Sequence, residues 1–461
     1  MKAFSHGMEA FSHDLWRAPG LAIGLAAVLM VALLDCARRL PSDSASASTP
    51  VEALRRRLRA LFPPLRAPSP PAFLDNAAGS LVPARVVAAV SEVLTQRGVV
   101  NSLPGYSWGR ANAELAAAAH HWTGLFVNAP GGGSDIALGP SSTALAFRVS
   151  AALSRALRPG DAVVVSELEH ECNASPWREL ERGGVQLRVW KAAWPAGALE
   201  LPALRALLAD GRVKLVALTA ASNAFGLKTD VRGAAQAAHE GGAKIFIDAV
   251  HAAAHELPDV ARDDLDFLVF SPYKCCAPHL GALYVRSNLI GSIDAPQLCF
   301  KDRSSLNKME YGTPAFEALA GWLAAADYFC KDVAGRAEVS RDALEAAFRA
   351  IEALEAPLKK ALVEGLVAIP GVTVYGSPAL EARVGTVAFR VDGLAPADVA
   401  LKLGANGVCV GNGHFYAILP TEAQGVKEAG VVRASVAHYN TVEEIERLLQ
   451  GVRALSMGVK A

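Results

Sequence analysis

The sequence predicts an α/β fold, with a mostly parallel sheet in a large domain over residues 71–325 and a smaller α+β domain over 326–461. Two observations carry this reading. Short runs, apolar on both faces, recur between residues 162 and 286, as strands of a parallel sheet covered on both sides require. Helical patterns lie between them, several ending at Gly, as a left-handed cap demands. That alternation of strand and helix is how a parallel sheet is built. Composition agrees with a globular chain of 461 residues, which allows two or three domains at about 150 residues each. Hydrophobic residues make up 52% and charged residues 20%, which excludes a disordered or fibrous protein. The 45 Lys and Arg balance the 45 Asp and Glu, so nothing in the net charge favours nucleic acid as a partner. The 7 Cys are odd in number and lack a CxxC spacing, which argues against a disulfide framework and against a structural metal site.

Taken in order, residues 1–70 are a separate object. Ala18 to Leu34 is an uncharged run, with Arg17 before it and Asp35, Arg38 and Arg39 after it. A bilayer span needs about 20 apolar residues, so the run suits the core of a signal peptide or signal anchor at least as well. The small polar stretch PSDSASASTP (41–50) follows, then a basic amphipathic pattern ended by prolines. A removable targeting sequence, a membrane anchor and an amphipathic extension all fit. The expectation is an organelle-targeted or membrane-anchored protein, with membrane contact through 18–34.

Strands are expected at AVVVS (162–166), VQLRVW (185–190), KLVALTA (214–220), KIFID (244–248), FLVFS (267–271) and ALYVR (282–286). Helices are expected at SSTALAFRVSAALSRAL, SPWRELERGG, LPALRALLADG and VRGAAQAAHEGG. A helix-rich stretch (315–367) leads to the small unit, whose strands are VTVYG, GTVAFRV, GVCV and VVRASV and whose last helix is VEEIERLLQGVRAL. The start of the large domain, within 71–100, has the option of packing on that unit.

Ligands of such sheets gather at the carboxyl ends of the strands, and three polar signals fall there. GPSSTALAF (139–147) opens a helix with Ser141, Ser142 and Thr143, which can present hydroxyls and free backbone N–H groups to an anion. Asp248 closes KIFID, and Lys274 follows FLVFS directly. Singly, each admits a plain structural role: an N-cap, a turn cap, a solvated lysine. Neither GxxxxGK nor GxGxxG after a strand is present, which lowers nucleotide readings. Together the three match the needs of pyridoxal 5'-phosphate: an anion site, a carboxylate for the ring nitrogen and a lysine for its aldehyde.

Over residues 72–455 the sequence resembles the class V aminotransferases of pyridoxal phosphate fold type I, and within them the cysteine desulfurase-like branch. The resemblance is carried by FLDNAAGSLVPARVV (73–87), SELEHECNASPW (166–177), LTAASNAFGLKTDV (218–231), IFIDAVHAAAH (245–255), FSPYKCCAPHLGALYV (270–285), EYGTPAFEALAG (310–321) and VRASVAHYNTVEEIERLL (432–449). It implies that Lys274 joins the cofactor and that Asp248 pairs with its ring nitrogen. It places His251 and Asn223 by the phenolic oxygen, and Ser141, Ser142 and Ser271 at the phosphate. It implies a homodimer in which Thr313 reaches the other protomer's cofactor. Arg433 would grip the α-carboxylate of a small amino-acid substrate, a planar anion suited to a guanidinium.

The pattern also breaks. Desulfurases of this branch use a mobile Cys to take sulfur, and in CVGNGHFYAILP (409–420) Tyr416 stands at that place. Glu171 occupies the ring-stacking position next to a matching His170, and Gly411 replaces an Arg that often precedes the loop. Cys409 reads as core, and of Cys275 and Cys276 at most one could face the site. What remains is an electron sink, a base and a carboxylate clamp, with Tyr416 or His414 available to protonate a leaving sulfur. The expected activity is C–S lysis by β-elimination on cysteine or an S-substituted cysteine, without a persulfide-forming Cys. A transaminase or epimerase of another amino acid is the alternative, and a catalytically degenerate scaffold the non-enzymatic one.

Overall fold

A computed structural model describes residues 49–97, 100–103 and 105–458. The chain divides into two compact units, 1–54 and 55–461, and both larger sheets belong to the second. Among the described residues no helix is long and apolar enough to cross a membrane. The run 18–34 lies outside the described residues. The expectation of organelle targeting or membrane anchoring is corrected: none of the described helices can cross a membrane.

After the two-residue strand β1 (Ala72–Phe73) come β2 (Ile136–Gly139), β3 (Ala162–Ser166), β4 (Gln186–Trp190), β5 (Val213–Thr219), β6 (Lys244–Asp248), β7 (Phe267–Phe270) and β8 (Gly281–Val285). The last seven form one sheet in the order β2-β8-β7-β6-β5-β3-β4. Every strand expected between 162 and 286 is present, each within one residue of its expected bounds. From β4 to β7 all pairings are parallel. β8 is antiparallel to both β7 and β2. The reason is the link 271–280, which is too short for a parallel return, since that takes a dozen residues or more. Lys274 therefore sits in a tight reversal between β7 and β8, not on a crossover.

Each face of the sheet is covered. On one, Leu145, Ala146 and Val149 of the helix Ser142–Leu153 pack with Val163, Val165, Leu215, Ala217 and Phe246, every one of them buried. On the other, Phe270 stacks on Phe126 at 5.1 Å, and Trp322 meets Phe126 edge-on at 5.2 Å. Each such side chain contributes roughly 1.5–3 kcal/mol by leaving water. This packing fixes the end of β7, from which Ser271 and Lys274 emerge.

The second sheet is antiparallel, order β12-β13-β10-β9, from β9 (Val372–Val374), β10 (Thr386–Val391), β12 (Gly411–Gly413) and β13 (Val431–Ser435). Leu358, Leu362 and Leu366 of the helix Arg341–Val367 and Ile445 and Leu448 of Val442–Gly458 cover it. The run GVCV does not join this sheet. Its strand, β11 (Val408–Cys409), pairs in parallel with β1. Beyond β1 the chain runs on alongside β13, where the Ser435 amide donates to the Leu74 carbonyl (2.7 Å). Asn76 locks it there by donating to the Ser435 carbonyl (2.8 Å) and to Asn440 Oδ1 (3.0 Å). Asp75 and Ala77 are thereby carried to the site.

Candidate active site

A small cavity lies at the carboxyl ends of β3, β5, β6 and β7. Ser142, Asn223, Asp248, His251 and Lys274, all singled out from the sequence, line it. Asp248 ends β6, and its two carboxylate oxygens are held separately: Oδ1 accepts the Val250 amide (2.8 Å) and Oδ2 the Cys172 thiol (3.2 Å). Burial pushes that thiol well above its ordinary range, and the Asp248 charge adds to the effect, so it stays a donor. Lys274 is buried and donates to the Ala77 carbonyl. Burial and then the charge of Arg433 bring its ammonium down to about 8.

The Ser142 and Ser271 hydroxyls meet at 2.8 Å, at the start of the helix Ser142–Leu153. Ser141 is that helix's N-cap, its hydroxyl accepting the Ala144 amide (3.1 Å). His251 shares a hydrogen bond with Thr386 Oγ1 (3.0 Å). Burial first, then the neighbouring charges of His255, Lys274 and Arg433, hold it well below the usual imidazole range, so its ring is neutral. Below the cavity, Glu169 accepts the Thr219 amide and the Asn173 side-chain amide, both at 2.7 Å, and so ties the loop after β3 to β5. Burial raises its carboxyl to about 8 despite those donors.

Other expected residues lie elsewhere. Glu171 does not line the cavity. Its carboxylate turns back to the Ser175 hydroxyl and to Arg178 (3.2 Å), because one residue's step in the turn Glu171–Asn173 reverses the side chain. The cavity-facing residue there is His170, whose Nδ1 accepts the Cys172 amide (2.9 Å). His414 and Tyr416 also stand outside the lining. Tyr416 is exposed, its ring 5.7 Å from that of His170 and its carbonyl accepting the Glu171 amide (2.8 Å). Arg433 is buried on β13, its guanidinium on Asp75 Oδ1 (2.8 Å) and the Asn223 carbonyl (3.1 Å). Thr313 is exposed and lines a different cavity, with His120 and Glu310.

The Aminotransferase class-V family model matches residues 72–448. The chain belongs to the class V aminotransferases. A cysteine desulfurase of Enterobacter sp. (strain 638) is 31% identical over 431 residues, 88% of this chain and 98% of that protein. A probable cysteine desulfurase 2 of Mycobacterium leprae (strain TN) is 36% identical over 311 residues, 64% of this chain and 69% of that protein. Among solved structures, the apo cysteine desulfurase from Thermococcus onnurineus NA1 aligns with a TM-score of 0.78 at 26% identity, covering 90% of this chain and 100% of that one.

Class V aminotransferases are enzymes that use pyridoxal 5'-phosphate, and the cavity residues fit that group. Among the described residues, the buried His251 Nδ1 and Asn223 Oδ1 have no hydrogen-bond partner, a cost of about 1–3 kcal/mol each. A polar ring substituent between them would remove it. Lys274 donates to the Ala77 carbonyl and lies over the Tyr273 ring (5.6 Å), neither of which is a charge partner that would hold its amine back from an aldehyde. Thr143, offered by the sequence beside Ser141 and Ser142, also lines the cavity, and sequence reasoning missed Cys172, Thr219 and Tyr273. Thr219, the residue that ends β5, carried the same strand-end signal as Asp248. Nothing in the sequence marked Cys172.

Proposed function

We propose that this class V aminotransferase is a C–S lyase that carries out β-elimination on cysteine or an S-substituted cysteine, with no persulfide-forming Cys. The observation that supports it is the meeting, in one buried cavity, of Lys274, Asp248, His251, Asn223 and the Ser142–Ser271 hydroxyl pair. When bound, pyridoxal phosphate supplies an electron sink for negative charge at the substrate's α-carbon. Asp248, held by Val250 and Cys172, would pair with the ring nitrogen. His251 and Asn223 would hold the phenolic oxygen, and Ser141, Ser142 and Ser271 the phosphate.

Lys274 would take the α-proton. Burial and the charge of Arg433 bring its amine down to about 8, so it is part-neutral at physiological pH and returns the proton readily. Arg433 would bind the α-carboxylate. The β-carbon–sulfur bond then breaks, the sulfur leaving with its electron pair and a proton from His414 or Tyr416 after the loop closes on the site. Cys172 does not serve as the sulfur acceptor, because a thiol held protonated on Asp248 is a poor nucleophile. We also propose a homodimer in which Thr313 completes the other protomer's phosphate site, and a division of the chain into domains at 71–325 and 326–461.

Product analysis tests the reaction. Incubation with cysteine is expected to give pyruvate, ammonia and sulfide in equal amounts, lost in Lys274→Ala. A keto acid that retains the sulfur would establish transamination instead, and D-cysteine would establish epimerisation.

A further inference from the structure

Arg433 is enclosed within its own chain. It is 3% exposed. Its Nη2 donates to Asp75 Oδ1 (2.8 Å), its Nη1 to the Asn223 carbonyl (3.1 Å), and the Phe415 ring covers its face, with Cζ 3.9 Å from the ring centre. Its Nε is buried without a hydrogen-bond partner among the described residues. No atom of it lines the cavity that holds Lys274 and Asp248. In this arrangement the guanidinium is closed off from the cavity, its edge held by Asp75 and Asn223 and one face covered by Phe415.

The position of Phe415 is built, not incidental. Phe415 and Tyr416 are consecutive left-handed residues, φ 50° and 57°, a region bulky side chains rarely enter. Three hydrogen bonds hold them there. The Asn223 side chain donates to the Phe415 carbonyl (3.0 Å), the Glu171 amide to the Tyr416 carbonyl (2.8 Å), and the Tyr416 amide to His414 Nδ1 (3.0 Å). Space for the ring comes from Gly411, the register partner of Arg433 on the neighbouring strand. A Cβ at residue 411 would stand 2.8 Å from Phe415 Cε1 and 2.9 Å from Asp75 Oδ1. The small residue at 411 and the aromatic at 415 thus form one arrangement over Arg433.

We propose that Phe415 is a specificity-determining residue, a cover on Arg433 that only a ligand carrying a carboxylate can displace. This rests on the reading of Arg433 as the carboxylate clamp. Charge-assisted N–H bonds from the guanidinium edge to a carboxylate outweigh the contact of its face with Phe415, so the cover yields to an amino acid and stays shut to an uncharged ligand. Strain in the left-handed pair lowers the cost of opening. The covered fraction weakens apparent affinity in proportion to its population.

The test is calorimetric titration of the cofactor-loaded enzyme with 3-mercaptopropionate, and with 1-propanethiol, the same chain without a carboxylate. In Phe415→Ala, 3-mercaptopropionate is expected to bind about tenfold tighter and propanethiol unchanged. Phe415→Leu keeps the apolar bulk and the loop packing without the ring face, and is expected to fall between. Unchanged or weaker carboxylate binding in both variants overturns the proposal, as does an equal gain for the two ligands, which would make Phe415 a simple steric door. Arg433→Gln separates the premise from the cover. If that variant still binds 3-mercaptopropionate normally, the clamp reading itself fails. If it loses binding while the Phe415 variants gain nothing, only the cover fails.

Discussion

Lys274 shows how burial and one neighbouring charge set a reactivity. Its ammonium is brought down to about 8 by removal from water, then by Arg433, against the pull of Asp248 and Cys172. Joining the cofactor's aldehyde requires the neutral amine, so loading of the apoenzyme should speed up about tenfold per pH unit below that value and level off above it. Removing the like charge works in the opposite direction. Arg433→Gln should move the midpoint of the loading profile upward, because the ammonium is then repelled less. Stopped-flow absorbance of cofactor uptake between pH 6 and 10 checks both outcomes, and a midpoint unmoved by the substitution would show that Arg433 does not act on this amine. Single residues are also where the sequence was least legible. Asp248 and Lys274 could be read because a strand end fixes where the next side chain points. Glu171 and His170 could not be ordered, since one step within a short turn decides which of them faces the cavity. Phe415 and Tyr416 gave no sign of their left-handed backbone, a conformation whose usual markers are Gly and Asn.

At the scale of elements, the site depends on how closely β8 passes the start of the helix Ser142–Leu153. Gly281 opens β8 and pairs with Gly139 at the end of β2. A Cβ on residue 281 would lie 2.2 Å from the Ser141 carbonyl carbon and 2.6 Å from the Ser142 nitrogen. Both are backbone atoms, so the turn carrying the Ser141–Ser142 hydroxyls must move. Gly281→Ala should therefore cost about 1–3 kcal/mol of stability and weaken cofactor binding at the same time. Gly291→Ala, where an added Cβ meets nothing within 4 Å, should do neither. Thermal unfolding with and without pyridoxal phosphate measures the pair. If Gly281→Ala were less stable yet stabilised by cofactor as much as the parent chain, the phosphate would not sit at this turn. The strands themselves were readable because a parallel sheet buried on both sides leaves uninterrupted apolar runs. β2, with four residues ending in Gly, was too short to stand out, and the reversal of β8 is set by the length of a link, not by strand composition. The exchange of GVCV from the small sheet to a pairing with β1 depends on a partner more than three hundred residues away in sequence, which no local pattern encodes.

For the whole molecule, the proposed second protomer decides where Thr313 acts. Thr313 is exposed beside a cavity it shares with His120 and Glu310, and it does not line the cavity of Lys274. The stretch leading to it exposes Leu298, Phe300 (76% exposed) and Tyr311, apolar surface of the kind that packs between copies of a chain. If two protomers pair so that Thr313 of one meets the phosphate held at Ser142 of the other, each site takes residues from both chains. Lys274→Ala should then abolish activity. Thr313→Val, which removes one hydroxyl from an anion, should weaken cofactor affinity roughly tenfold or more. A heterodimer assembled from these two variants would carry one doubly defective site and one site with Lys274 and Thr313 both intact. It should recover about half the activity of the unaltered dimer, at the unaltered cofactor affinity. Were Thr313 to serve its own chain's site, or the protein to act as a monomer, the mixture would hold only a Lys274→Ala site and a Thr313→Val site, and its cofactor affinity would stay that of Thr313→Val. Co-expression with two affinity tags, followed by cofactor titration of the doubly tagged species, separates the two arrangements by the affinity alone, even if the altered chains differ in yield.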